Sequence, residues 1–149
     1  MINTRIAYKN SDGGVSIVIP TPEFCKNNAN SMAELLASSI HEGAIFEELK
    51  VDDIPTDRYF RNAWRLNGGI HTDMDCARGI HLDCLRKVRN EKLEELDVTF
   101  QRALESKDVA AQDSIAAKKQ ALRDMPNSVD LSALSEQELK NYLPDILSS

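Results

Sequence analysis

Apolar residues recur every third or fourth position along one long stretch of this chain and every second position near its start. Those two periods set the expected elements. Between Met74 and Glu105 there is no proline, and Leu, Glu, Lys, Arg and Ala predominate. Ile80, Cys84, Leu85, Val88, Leu96, Phe100, Ala103 and Leu104 keep the helical spacing, with one slip at Lys92 and Leu93. The pattern predicts an amphipathic helix capped by Asp73 and roughly 50 Å long at about 1.5 Å per residue. Ser106-Lys107-Asp108 interrupts it, and Asp108 is placed to cap a second helix whose stripe is Val109, Ile115, Leu122 and Met125. A connection this short makes the two helices antiparallel neighbours.

The period of two appears in Arg5 to Tyr8 and Val15 to Ile19, a hairpin across Asn10-Ser11-Asp12-Gly13-Gly14. Pro20 and Pro22 end the second strand, and a polar loop from Lys26 to Asn30 follows. Ser31 and Glu34 have capping-box spacing, which predicts a short helix to about Ser39 that stops at Gly43. Breakers on both sides of Ala44 to Val51 favour a strand there. Thr56 or Asp57 can cap a single helical turn, Arg58 to Ala63, before a tight hairpin of Trp64-Arg65-Leu66 and Ile70-His71-Thr72 around Asn67-Gly68-Gly69. After Pro126, Asn127-Ser128 reads as a turn, Ser135 and Glu138 open a last short helix, and Pro144 closes it. Leu131, Leu134, Leu139, Tyr142, Leu143, Ile146 and Leu147 are too apolar for a solvated tail. The expected fold class is α+β. A small antiparallel β head with short helices (1–72) precedes a long antiparallel helical hairpin (73–125), and a C-terminal docking segment with a short helix (126–149) follows.

Composition narrows the function. The chain has 149 residues, 42% hydrophobic, with eight aromatics (four Phe, three Tyr, one Trp), so its core is mostly aliphatic. A net charge of −6 and a pI near 5.1 argue against nucleic acid as a partner. No apolar run reaches membrane-spanning length and the N-terminus lacks a secretory layout, so a cytoplasmic protein with no membrane partner is expected. Three cysteines do not make a disulfide framework.

Candidate chemistry is sparse. His71, Asp73, Cys76, His81 and Cys84 fall within fourteen residues, but a metal needs three or four converging donors. Cys76 and Cys84, with Ile80 between them, fit the apolar stripe instead, so no metal is expected. There is no nucleophile motif and no phosphate-binding glycine loop, so neither enzyme activity nor a cofactor is expected. Arg86, Lys87 and Arg89 form a basic block followed by Glu91, Glu94, Glu95 and Asp97. This is either a solvated flank, with Asp83 and Lys87 paired, or a dipolar stripe that orients a partner or a second copy. Phe60, Ala63 and Trp64 share a face on a helical turn and are expected to anchor the β-rich head to the root of the rod, with Arg58 and Arg61 paired locally to Asp57 or Asp53.

Ile54-Pro55-Thr56-Asp57-Arg58-Tyr59-Phe60-Arg61-Asn62-Ala63-Trp64 resembles an I-P-x-D-R-x-F-R-x-A-W signature of small proteins encoded among phage and prophage tail genes. Asp73 to His81, Leu85 to Arg89 and Leu96-Asp97 look like the helical region of the same proteins. Lys119-Gln120-Ala121-Leu122-Arg123-Asp124-Met125-Pro126 is similar to the R-Q-A-L-R-D-x-P ending of phage tail assembly chaperones and tail fibre assembly proteins. The likeness covers roughly Ala44 to Leu147, and Gly79 departs from it where a helix former is usual. It implies a non-enzymatic assembly factor, in the host-cell cytoplasm, for a tail or tail-fibre protein. Arg86, Arg89, Leu93, Leu96, Phe100 and Leu104 are the expected partner-binding residues, and the rods could also join copies into a homo-oligomer through a coiled coil. A structural component kept in the particle and a prophage-encoded inhibitor of a host protein are the alternatives.

Overall fold

The computed structural model describes residues 3–27 and 40–149. The chain is α+β, a small antiparallel sheet followed by a helical hairpin and short helices, and it divides into two compact units, Met1–Ala77 and Arg78–Ser149. In the first unit Thr4–Lys9 (β1), Val15–Val18 (β2) and Phe46–Lys50 (β3) form an antiparallel sheet in the order β2-β1-β3. Alternation along β1 sets Ala7 opposite Ile17. Ala7, Val15 and Trp64 form the buried centre, with Ile17, Leu49, Leu66 and Ile70 around them. Ile6, on the other face, is buried as well. Trp64–Leu66 (β4) and Ile70–Thr72 (β5) make a second antiparallel pair. Glu47 of β3 holds its turn: Gly68 and Gly69 donate their N–H groups to the two carboxylate oxygens at 3.0 and 2.7 Å. Both glycines have positive φ, 61° and 111°, which L side chains rarely adopt.

Two local expectations change here. Pro22–Asn27 (α1) is a helix where the pattern suggests only a strand end and a loop. Thr21 Oγ1 accepts the Phe24 N–H at 3.1 Å, and Pro22 needs no partner in a first turn. The helical turn expected over Arg58 to Ala63 shrinks to a 3-10 turn, Arg61–Ala63. Asp57 Oδ1 takes the Tyr59 N–H at 3.0 Å, and such a local bond competes with helix. Phe60, Ala63 and Trp64 are nevertheless all buried. The helix expected from Ser31 to Ser39 lies outside the described residues.

Met74–Glu105 (α2) begins at Asp73, whose Oδ1 accepts the N–H groups of Asp75 and Cys76. In the second unit Val109–Ser128 (α3) returns against it. Gln112 Nε2 donates to the Ala103 carbonyl and Lys119 pairs with Asp97, which fixes the antiparallel register. The turn between them is a Schellman motif. Asp108 N–H donates to Ala103 O at 2.9 Å, and Lys107 N–H to Leu104 O at 3.1 Å, with Lys107 at φ +57°. Asp108 then caps α3 by accepting the Ala111 N–H at 3.0 Å.

The pattern ends α3 at Met125, whereas the helix continues to Ser128. Pro126 falls in the last turn, where its missing N–H removes a single bond, and the Val129 N–H and Ser128 hydroxyl both reach the Met125 carbonyl. Glu136–Asn141 (α4) carries the expected capping box between Ser135 and Glu138. Pro144 does not end the helical structure but precedes one more turn, Asp145–Ser148 (α5). Leu85, Leu122, Met125 and Leu147 form the core of this unit, with Leu131 and Leu139 also buried. Arg78 donates to the carbonyls of Leu131 and Ser132, and buried His81 donates through Nε2 to the Tyr142 carbonyl at 2.8 Å. The C-terminal segment is thereby tied down by backbone acceptors as well as by its leucines.

Three substitutions test these local arguments. A Cβ at Gly79 would meet nothing within 4 Å, so Gly79→Ala should stabilise by about 1 kcal/mol through helix propensity. Lys107→Gly should stabilise by roughly 0.5–1 kcal/mol by relieving the left-handed conformation, both read by urea denaturation. The Ser132 hydroxyl and N–H donate to the Asp130 carboxylate and hold its pKa below the ordinary carboxylate range. A depressed folded pKa contributes stability above the unfolded pKa, and that contribution is lost as pH falls through the folded value. Ser132→Ala should therefore move the Asp130 midpoint upward in an NMR titration.

Candidate functional site

The six expected partner-binding residues all lie on α2 within the second unit, and the fold sorts them. Leu93 and Leu96 are half-buried against the Leu85–Leu122–Met125–Leu147 core. Phe100 is half-buried too, with Lys119 Nζ 5.4 Å from its ring centroid. That ammonium also pairs with Asp97, so one lysine of α3 covers two positions of α2. Arg86 is exposed and donates to Asp83 at 2.8 Å. The acidic partner expected for Lys87 is thus taken by Arg86. Arg89 is half-buried and donates twice to Asn90 Oδ1, at 3.1 and 3.0 Å.

Leu104 departs from the expected stripe. It is 44% exposed, and Val109 across the turn is 64% exposed. Successive helical residues point about 100° apart, so Leu104 falls at the edge of the seam when Ala103 sits at its centre. Ala103 and Ile115 take it and are buried. The Schellman turn then starts α3 with Val109 facing outward. Val98, never part of the periodic stripe, is 54% exposed on the same helix. The large apolar side chains left open at this end of the hairpin are therefore Val98, Leu104 and Val109; spacing places Leu104 and Val109 on the apolar stripes of their helices, and both turn outward instead. Helical periodicity marks which residues could face a partner helix, but it cannot choose between two adjacent candidates.

The histidines and cysteines have separate roles. Cys76 Sγ lies 3.8 Å from the Asn62 carbonyl, His71 is exposed, and Asp73 caps α2 and lies 3.7 Å from Arg65 Nε. In the other unit, His81 is buried with its Nε2 proton on a carbonyl, while Cys84 is a half-buried thiol. Among the described residues no three His, Cys, Asp or Glu side chains converge on a point where a metal could sit. No helix is long and apolar enough to cross a membrane among these residues.

The contrast between Phe100 and Leu104 is measurable. Phe100→Asp should cost about 2 kcal/mol or more, because it removes the ring packed under Lys119 and puts a charged group at the helix seam, a loss that the new pairing with Lys119 only partly offsets. Leu104→Asp should stay within about 0.5 kcal/mol of the parent in urea denaturation. Comparisons with models of protein families, with curated proteins and with solved structures found no match for this chain.

Proposed function

We propose that this protein acts by binding, as a phage-type assembly factor that holds a tail or tail-fibre protein through its helical hairpin. The observation that carries this reading is the pair of uncovered apolar side chains flanking the Lys107 turn, Leu104 and Val109, at the end of a hairpin whose core is Leu85, Leu122, Met125 and Leu147. An aliphatic side chain fully buried on association contributes roughly 1.5–3 kcal/mol before the cost of association is subtracted, so these two residues with Val98 are a centre of attraction that needs further contacts around it. The occupant that fits is an apolar segment of an assembling protein, exposed before assembly and sealed afterwards. Support for the phage assignment comes from the likeness over residues 54–64 and 119–126; of their apolar members Phe60, Trp64, Leu122 and Met125 are buried in this fold, while Tyr59 is exposed. Arg86 and Arg89 stand farther along α2, where their charge would steer an acidic partner more than it would hold one. Bond-making chemistry plays no part in this reading, and the host-cell cytoplasm is the compartment it implies.

Co-expression with the tail or fibre protein encoded nearby tests it. The parent chain should raise the soluble yield of that protein and co-elute with it. The Leu104→Asp/Val109→Asp double variant should keep its circular dichroism spectrum and lose at least tenfold in affinity. A folded double variant that still forms the complex would overturn the hairpin assignment. Recovery of the protein from purified particles would favour the structural-component alternative, and capture of a host protein instead would favour the inhibitor.

A further inference from the structure

The small sheet of the first unit has an open edge at β3. The Lys9 N–H donates to the Ile45 carbonyl at 2.9 Å and the Val51 N–H to the Asn3 carbonyl at 3.2 Å, so bonds to β1 fall on the odd-numbered residues of this strand. Phe46, Glu48 and Lys50 therefore turn their N–H and C=O groups away from β1, and among the described residues none of these groups has a backbone partner. All three residues are exposed. The opposite edge is closed differently, because Val15 of β2 is buried and Pro20 follows that strand. A row of unpaired peptide groups is a template for another strand, and charged side chains ordinarily guard it. Here the guards are Glu48 and Lys50, and among the described residues neither side chain has an ion-pair partner. Their signs are opposite and Leu49 stands between them, which makes the edge complementary to itself. When two β3 strands run antiparallel with Leu49 facing Leu49, Glu48 of each copy lies opposite Lys50 of the other.

We propose that a second copy of this chain adds to the β3 edge, antiparallel, so that the three-stranded sheets of the two copies run on as one. Charge sets the register. Only even-numbered residues present outward peptide groups, so even must pair with even across the new joint. A two-fold axis at Glu48 opposes two glutamates, and one at Glu47 sets Glu48 against Phe46 and carries Lys50 past the end of the partner strand. Like charges directly opposite destabilise a sheet and unlike charges stabilise it, which selects the axis at Leu49. Both Glu48–Lys50 pairs then fall at bonded positions, where opposed residues exchange their N–H···O bonds. Leu49 falls at the non-bonded position between them, where side chains approach most closely. It already packs half-buried against the Ala7–Val15–Trp64 core, and a second Leu49 extends that core across the axis. A strand of uniform charge meets its own sign at Glu48 or at Lys50, so guards that reject other strands admit this one. The edge is only five residues long, so the association is reversible. The hairpin plays no part in it.

Sedimentation equilibrium of the full chain tests the proposal. The parent should pass from monomer to dimer between about 10 µM and 1 mM. Glu48 and Lys50 are exposed, so Glu48→Lys and Lys50→Glu should each fold normally by circular dichroism. Each should weaken the dimer at least tenfold, because like charges then face each other in both pairs. An equal mixture of the two variants should restore the dimer, since one chain presents two lysines and the other two glutamates. Amide exchange at Glu48 and Lys50 should slow as the parent dimerises. Leu104→Asp/Val109→Asp, on the hairpin, should dimerise like the parent. A parent that stays monomeric over that range, single variants that dimerise like it, a mixture that stays monomeric, or unchanged exchange at Glu48 and Lys50 would overturn the proposal. Loss of the dimer in the hairpin variant would overturn it as well, by moving the joint to the helices.

Discussion

A helix of 32 residues presents about 48 Å of surface along its length, and the 20-residue helix that returns beside it spans about 30 Å. The apolar stripe beyond the reach of the shorter helix must be covered by something else, because a helix in water gets most of its stability from the face it buries. Here the C-terminal segment supplies that cover. Leu131, Leu139 and Leu147 are buried, and each contributes roughly 1.5–3 kcal/mol by leaving water. Arg78 and His81, in the part of α2 that lies beyond α3, donate to carbonyls of that segment. The polar bonds matter as much as the leucines: His81 can be buried because its Nε2 proton has an acceptor, and an unsatisfied ring would cost about 1–3 kcal/mol.

The first unit solves a smaller version of the same problem. A two-stranded pair such as β4–β5 is marginal in water by itself. It is fastened at both ends, by Trp64 in the shared core and by the Glu47 carboxylate on the turn glycines. A carboxylate receiving two backbone N–H groups is a stronger tether than a neutral side chain could provide.

What each unit leaves uncovered differs in chemistry. The end of the hairpin offers Leu104 and Val109 without neighbouring charge of one sign, a surface suited to an apolar segment. The first unit leaves Ile19 and Val51 exposed at the edge of its small sheet. A protein that works by holding another chain can use both.

Features legible in the residues alone are those decided within about four positions. The caps at Asp73, Asp108 and Ser135 formed as their side chains require, because the N–H they satisfy is two or three residues away. The glycine turns and the α+β order of elements follow from equally short-range preferences. Even a misread case, α1, carried its signal locally in Thr21 and Pro22, which double as strand terminators. The candidate site was legible only in part: periodicity placed Leu93, Leu96, Phe100 and Leu104 on the rod, but three of them turned inward or sideways once α3 and the C-terminal segment packed. Which of Ala103 and Leu104 faces the seam, that His81 meets Tyr142, that Glu47 reaches Gly68 and Gly69, and that Ile19 stands two residues past the core were settled by tertiary structure. Each depends on residues roughly 10 to 60 positions apart, and the free energy of such a contact exists only after the intervening chain has been ordered.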